Sequence, residues 1–198
     1  MTNQKNLQPS VGRPRSEQSK KAILNATISL LEQSGYSSLT IDGIAARAEV
    51  SKATIYRWWS NKNVLIIDAF LMQILPQIEF QETLSVREKF LKQLQGLSNV
   101  FNSTLGRTML AIISESDPDS EVVQIFHTQY LAPRRAAAKR ILEIGIACGE
   151  IRSEIDLDVT LDMIYGPLYF RVLIFKKTLD PSIIEILIDN IMKAICLE

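Results

Sequence analysis

Lys52, Ala53, Thr54, Arg57 and Trp58 fall on the outward side of one short predicted helix, and Ser51 stands at its N-terminus. Together they offer cations, hydroxyls and small groups at the helix end where backbone N–H groups also point outward. That set suits the phosphates and base edges of a DNA major groove. Nothing comparable exists for catalysis. No glycine-rich phosphate loop, no Cys/His metal spacing and no Ser/His/Asp constellation is visible, and the single histidine, His127, reads as an ordinary helix position. The expectation is a protein that is not an enzyme and uses neither metal nor cofactor.

What must position this helix is its neighbour. Thr40 is a candidate N-cap for Ile41–Arg47, Ala48-Glu49-Val50 makes a brief turn, and Ser51 caps Lys52–Trp58. Ile41, Ile44, Ala45 and Ala48 line one side of the first helix, and Val50, Ile55 and Trp59 fill the other partner's inner side. Small contact residues and a short turn hold two such helices at the steep angle of a helix-turn-helix. Charge points the same way. Through Lys62 the chain carries nine basic side chains against four acidic ones, a net +5 within a neutral protein. A basic head on an acidic body suits a protein whose one end meets phosphates. Lys20 and Lys21 fit a solvated helix face as well as a DNA contact.

The rest of the chain is helical in its periodicity, with almost no strand signal. A first helix is predicted from Ser16 to Ser34, with Ile23, Ala26, Leu30 and Leu31 as its apolar stripe and Gly35 as its cap. A fourth runs from Lys62 to about Ile74 and stops near Pro76. Further helices are expected near Val86–Ser103, Leu105–Ser116, Pro118–Cys148, Leu157–Lys177 and Pro181–Leu197. Pro118 and Pro181 suit first turns, Pro133 should kink or divide its helix, and Gly149 is a natural stop. Apolar residues of the last helix cover more than one face, so one face packs internally and another suits a second chain. Phe170, Leu173, Ile184, Leu187, Ile188 and Ile191 are the candidates for that contact. Phe70, Phe101, Met109, Ile113, Phe126, Tyr130, Tyr165 and Tyr169 are candidates to line an apolar small-molecule cavity, although such residues at helical spacing suit plain core equally. Arg134, Arg135, Lys139 and Arg140 cluster in one helix and suit a solvated face more than an anion site. No long apolar run predicts a membrane span and no signal peptide is legible. Cys148 and Cys196 read as free, largely buried thiols of a reducing compartment, the cytoplasm.

Gly12-Arg13-Pro14-Arg15, followed by LLEQSGYSSLTIDGIAARAEVSKATIYRWWSNKNVLIIDAF, resembles the DNA-binding domain of TetR-family regulators over residues 12–70. The resemblance implies a three-helix domain whose third helix reads the groove. It implies that Thr40 caps the second helix and bonds a phosphate, and that Ser51, Lys52, Ala53 and Thr54 face bases. Tyr56 would hydrogen-bond the DNA backbone, Lys62 would grip a phosphate, and Arg13 and Arg15 resemble basic arms laid along a minor groove. Two departures stand out: Ala53 replaces a frequent glycine, and Trp58 stands where histidine, tyrosine or arginine is common.

Shorter motifs in the body are similar to one subgroup of these regulators: Ala132-Pro133-Arg134-Arg135, Cys148-Gly149-Glu150-Ile151-Arg152, Asp156-Leu157-Asp158, and Tyr165-Gly166-Pro167-Leu168-Tyr169-Phe170-Arg171. They imply an effector-binding body whose last two helices pair with their twins. The expected fold is all-α: a three-helix helix-turn-helix head plus a larger helical effector-binding and dimerisation body. Residues 1–15 form a basic arm, 16–62 the DNA-binding domain, and 63–198 the ligand-binding and dimerisation domain. The expected function is sequence-specific transcription regulation by a homodimeric repressor, released from double-stranded operator DNA by a small-molecule effector of hydrophobic character. An activator, a co-ligand-dependent binder and an effector-free architectural protein stay open as alternatives.

Overall fold

The structure, a computed structural model, describes residues 13–74 and 85–197, with side chains from Glu17 onward. Three expectations therefore lie outside the described residues: the side chains of Arg13 and Arg15 in the minor groove, and Pro76 as a helix stop. The described elements are α1 (Arg13–Ser38), α2 (Ile41–Arg47), α3 (Lys52–Tyr56), α4 (Lys62–Ile74), α5 (Val86–Asn102), α6 (Thr104–Glu115), α7 (Glu121–Phe126), α8 (Ala132–Ala147), α9 (Leu157–Leu173) and α10 (Pro181–Ile195). No strand occurs among the described residues, only an isolated antiparallel bridge between Ile151 and Cys196. The fold is all-α.

Local chemistry explains most boundaries. α1 begins at Arg13, ahead of the expected Ser16, and its regular part breaks at Gly35, where φ is 74°. A left-handed backbone there ends the helix at little cost only because glycine has no Cβ. Thr40 Oγ1 accepts from the Gly43 N–H at 3.1 Å and Ser51 Oγ from the Thr54 N–H at 3.2 Å, so both expected N-caps are formed. Each such cap contributes about 1 kcal/mol. Ser85 and Glu88 complete a reciprocal capping box on α5, and those hydrogen bonds hold the Glu88 carboxyl below its usual range. Asp180 caps α10, whose first residue is Pro181.

Prolines in the middle of the chain behave differently from one another. Pro118 is not in a first helical turn: Asp117–Ser120 is a turn, and Ser120 is the N-cap residue of α7. Pro133 does divide the long predicted helix. Lacking an N–H, it cannot bond the carbonyl four residues earlier. The chain widens just ahead of it into a π-helical turn, His127–Leu131, closed by the Ala132 N–H on His127 O. α8 then runs from Ala132 until Gly149, with φ at 74°, stops it.

α4 is apolar all round, with Val64, Leu65, Ile66, Ile67, Ala69, Phe70, Leu71 and Ile74 buried. A helix of that kind must be surrounded, and α4 packs against α1, α6 and α7. One core cluster consequently runs from Ile23, Ile44 and Ile55 through α4 to Ile195, without a break at residues 62–63. α10 lays Ile184, Ile188, Ile191, Met192 and Ile195 inward, packed on α5. The cysteines are not buried as expected. Cys148 is exposed just past the end of α8, and Cys196 is partly covered by the Ile151 bridge.

Candidate functional site

α1, α2 and α3 build the head. The Arg47 guanidinium donates to Gln33 Oε1 at 2.9 Å and to Ser29 Oγ at 2.8 Å, fixing α2 on α1. Ile55 and Trp59 are buried under α3, and the Trp59 indole donates to Asp68 Oδ2 at 2.9 Å, fixing the head on α4. Glu49 turns the chain between α2 and α3 with φ at 53°, and the Val50 N–H reaches back to Ala45 O at 3.0 Å. With its inner side locked, α3 leaves Lys52, Ala53, Tyr56 and Arg57 exposed, with Ser51 exposed at its cap and Thr54 half-buried.

Several of these groups are already engaged. Ser51 Oγ and Thr54 Oγ1 lie 2.9 Å apart and bond one another, so either hydroxyl must rotate to meet a base. Lys52 Nζ is 2.6 Å from Asp42 Oδ1, and the hydrogen bond and charge of Asp42 hold the ammonium above its usual range. Lys62 Nζ donates to Leu39 O at 3.1 Å and Tyr36 O at 3.4 Å, and sits 4.0 Å over the Tyr36 ring. It braces the loop that carries Thr40. Lys62→Ala should therefore cost about 1 kcal/mol of stability as well as weakening DNA binding for every sequence alike. Gel-shift titrations across a range of salt should show the salt slope falling by about one.

Trp58 departs from the outward position expected of it. Its ring is half-buried, 6.4 Å from that of Trp59, and its Nε1 is enclosed without an acceptor. A tight end to α3 turns Trp58 back toward α1, where Lys20 Nζ approaches its ring to 5.6 Å. Lys20 is also paired with Asp68 at 3.3 Å, so it serves the head's own packing, whereas Lys21 is exposed.

The body holds a cavity of about 330 Å³. Gln93 and Leu97 of α5, Phe126 of α7, Tyr130 and Leu131 of the π-helical turn, and Arg134 and Arg135 of α8 line it. Asp162, Tyr165, Gly166 and Tyr169 of α9 complete the wall. Of the residues expected to line a pocket, Phe126, Tyr130, Tyr165 and Tyr169 do so. Phe70, Phe101, Met109 and Ile113 do not. Phe70 and Phe101 stand one layer behind, against Tyr130 and Tyr169 with ring centroids at 5.2 Å in both pairs. Met109 is fully buried core, and Ile113 packs on that core from its edge. Phe70 belongs to α4 and Met109 and Ile113 to α6, and neither helix contributes a residue to the cavity wall.

Sequence reasoning missed Gln93 and Arg134. Gln93 is a buried polar residue within the apolar stripe of α5, and Tyr165 Oη donates to its Oε1 at 2.7 Å. A lone amide between Phe90, Leu94 and Leu97 was the available signal. Arg134 lies four residues after Tyr130 with its guanidinium 4.1 Å over that ring, so the basic cluster is not one solvated face. Arg135 pairs with Asp162 at 2.7 Å and Lys139 with Asp158 at 3.1 Å, while Arg140 is exposed. Burial pushes the Tyr130 and Tyr165 phenols well above the ordinary tyrosine range and that of Tyr169 up to about 12.

The candidate dimer residues also divide. Ile184, Ile188 and Ile191 are buried in the chain's own core, because their side of α10 packs on α5. Phe170 is exposed, and Leu173 and Leu187 are half-buried. Val159, Met163, Ile174 and Phe175 on and after α9 are exposed apolar residues outside the candidate set, and Ile186 is exposed on α10.

Two family descriptions match successive parts of the chain. The family described as bacterial regulatory proteins, tetR family, matches residues 23–69, and the one described as tetracyclin repressor-like, C-terminal domain, matches residues 80–191. The uncharacterized HTH-type transcriptional regulator YdeS of Bacillus subtilis (strain 168) is 37% identical over 189 residues, which is 96% of either chain. An HTH-type transcriptional regulator of Mycobacterium tuberculosis is 29% identical over 173 residues, covering 86% of this chain and 84% of that one. Among solved structures, the TetR family transcription regulator SCO0332 superposes with a TM-score of 0.73 at 29% identity, covering 91% of this chain and 100% of that chain.

Proposed function

Because this chain belongs to the tetR family of bacterial regulatory proteins and is a DNA-binding transcriptional regulator, we propose that it acts in the cytoplasm as a homodimeric repressor of double-stranded operator DNA, released when a small effector of largely apolar character fills the cavity of the body. In this reading residues 16–62 bind DNA, and residues 63–198 bind the effector and dimerise. Ser51, Lys52, Ala53 and Thr54 face bases. Arg57, with Thr40, Tyr56 and Lys62, meets the phosphate backbone, and Arg13 and Arg15 of the 1–15 arm reach the minor groove.

One observation carries the reading: the cavity wall touches the lever that holds the head. Tyr130 lines the cavity and packs edge-on against Phe70 of α4, and α4 begins at Lys62, directly behind α3. A second link runs from Ser60, whose hydroxyl donates to Glu121 Oε2 at 2.5 Å, into α7 and so to Phe126 in the wall. Two heads of a dimer must stand about one DNA turn, roughly 34–36 Å, apart to meet both half-sites. An effector that favours a different tilt of α4 lowers operator affinity by its own preference for that state.

The test is footprinting of the protein on DNA upstream of its own gene, with and without candidate effectors. A protected, near-palindromic site that is released by an effector supports the reading. Positionless protection with a steep salt dependence would support an architectural role instead. On the mapped site, Thr54→Ala should change the preferred base at the position its hydroxyl meets, a shift of about 1–3 kcal/mol in discrimination, read by competition between operator variants. Unchanged preference would remove Thr54 from the base contacts.

A further inference from the structure

Arg134 and Arg135 are adjacent on α8 and differ in one respect. Arg135 is saturated, with Asp162 Oδ1 at 2.7 Å, Asp158 O at 2.9 Å and Asp158 Oδ1 at 3.4 Å. Arg134 has none of this. No carboxylate lies within ion-pairing distance of it among the described residues, and its Nε is sealed from water with no acceptor. Its guanidinium lies over the face of Tyr130, 4.1 Å from the ring centroid. Burial lowers the proton affinity of this guanidinium, and the titratable groups that act on it are the phenols of Tyr130, Tyr169 and Tyr165, kept neutral by their own burial, with no carboxylate among them. An arginine stays charged in such a place, and a half-buried cation without a counter-charge is costly.

A second donor in the same wall is also orphaned. Tyr130 is 1% exposed and its Oη has no hydrogen-bond partner. The π-helical turn before Pro133 puts Tyr130 and Arg134 on one side, four residues apart, and both line the cavity. Two unsatisfied donors, one of them a cation, lack the same kind of group: an acceptor carrying negative charge. The remaining polar residues do not offer themselves to a ligand in this way. Tyr165 and Gln93 bond each other, and Asp162 is spent on Arg135. Elsewhere the wall is apolar or aromatic, with Leu97, Phe126 and Tyr169.

We infer that this cavity selects small molecules with an apolar body and a carboxylate head, the head paired with the Arg134 guanidinium and the body seated among Phe126, Tyr165 and Tyr169. The inference rests on the reading of the cavity as the effector site and narrows it to a chemical class. Among the described residues the Nη groups of Arg134 make no hydrogen bond, and the side chain is half-buried in the cavity wall, so they are the edge a carboxylate meets, in the two-pronged geometry that guanidinium favours. A neutral molecule of the same shape would fill the apolar part and leave the cation uncompensated. A cationic one would be repelled.

The test is calorimetric binding of naphthylacetate, and of the nearly isosteric neutral naphthylethanol, to the full-length protein. The wild type should prefer the carboxylate by about tenfold or more. Arg134→Met, which keeps the apolar stem over Tyr130, should bind both equally, and Arg134→Lys should keep part of the preference. Thermal melting checks that each variant is folded. Equal affinity of the two probes for the wild type, a preference that survives in Arg134→Met, or no binding of either probe would overturn the inference. Footprinting with the same probes separates this from the wider reading: an Arg134-dependent preference without release of DNA upholds the inference and counts against ligand-driven release.

Discussion

Phe170→Glu combined with Ile186→Glu should turn the protein into a folded monomer and weaken operator binding at least about a hundredfold. Phe170 is 51% exposed and Ile186 60% exposed, and Ile174, beside Phe170, is 64% exposed. Residues of this kind on two adjacent helices make an apolar patch that a lone soluble chain seldom presents. α9 and α10 pack on each other, so their outward sides form one surface. In a two-fold pairing every substitution appears twice. In the proposed dimer four carboxylates would then stand in a contact otherwise filled by apolar side chains, and burying them unpaired costs far more than the lost contacts. A monomer can use only one half-site, so it loses the gain that comes from tethering the second head to the first. Because both side chains are exposed in the single chain, its helicity and melting cooperativity should survive. Sedimentation equilibrium and gel shifts on the mapped operator decide the matter. A variant that remains dimeric with unchanged affinity would move the interface elsewhere.

The largest loss of stability from a single methyl group is expected at Gly106→Ala. α5 and α6 meet at a sharp corner where Ser103 serves both helices. Its Oγ donates to Val100 O at 2.7 Å and accepts from the Gly106 N–H at 3.0 Å. A Cβ on Gly106 would fall inside van der Waals contact of the Val100 carbonyl oxygen, 2.8 Å from its carbon and 3.2 Å from Phe101 Cα. These are backbone atoms, so no side chain can swing away. The corner must open, and Phe101, Leu105 and Met109, all buried there, lose their fit. A cost of about 3 kcal/mol or more follows, since overpacking here strains backbone as well as side chains. For a chain of this size that is a fall of roughly 6–12 °C in Tm. Gly96→Ala is the control. Nothing lies within 4 Å of the Cβ it would add in α5, so better helix propensity should stabilise the protein by up to about 1 kcal/mol. If both glycines gave the same sign in a melting experiment, the close approach at the corner would not be what sets their stability.

The head was legible in the sequence because its determinants are short-range. Thr40 and Ser51 cap the helices that directly follow them, Gly35 ends the helix that directly precedes it, and Ile55 and Trp59 are one turn apart. Rules that act between residues one to four apart can be applied without knowing the fold. Trp58 is the instructive exception. Nothing within its own turn says that its ring will meet α1, and only the tertiary fold brings Lys20 to 5.6 Å and leaves the ring half-buried.

Sequence alone thus determined the all-helical class, the helix-turn-helix and its capping, the basic head, and the division of the chain at Pro133. Tertiary structure decided which apolar residues are core, cavity wall or outer surface. Ile184, Ile186 and Ile188 are chemically alike and almost adjacent, yet α5 covers the first and third and leaves the second exposed. Phe70 and Phe101 look like pocket residues and stand behind the wall, while Gln93 and Arg134 are in it. The physical reason is that apolar burial is non-directional. A hydrophobic stripe states that a helix must pack and leaves its partner unspecified. The cavity is framed by residues as far apart in the chain as Gln93 and Tyr165, and only the crossing of α5, α8 and α9 brings them within 2.7 Å.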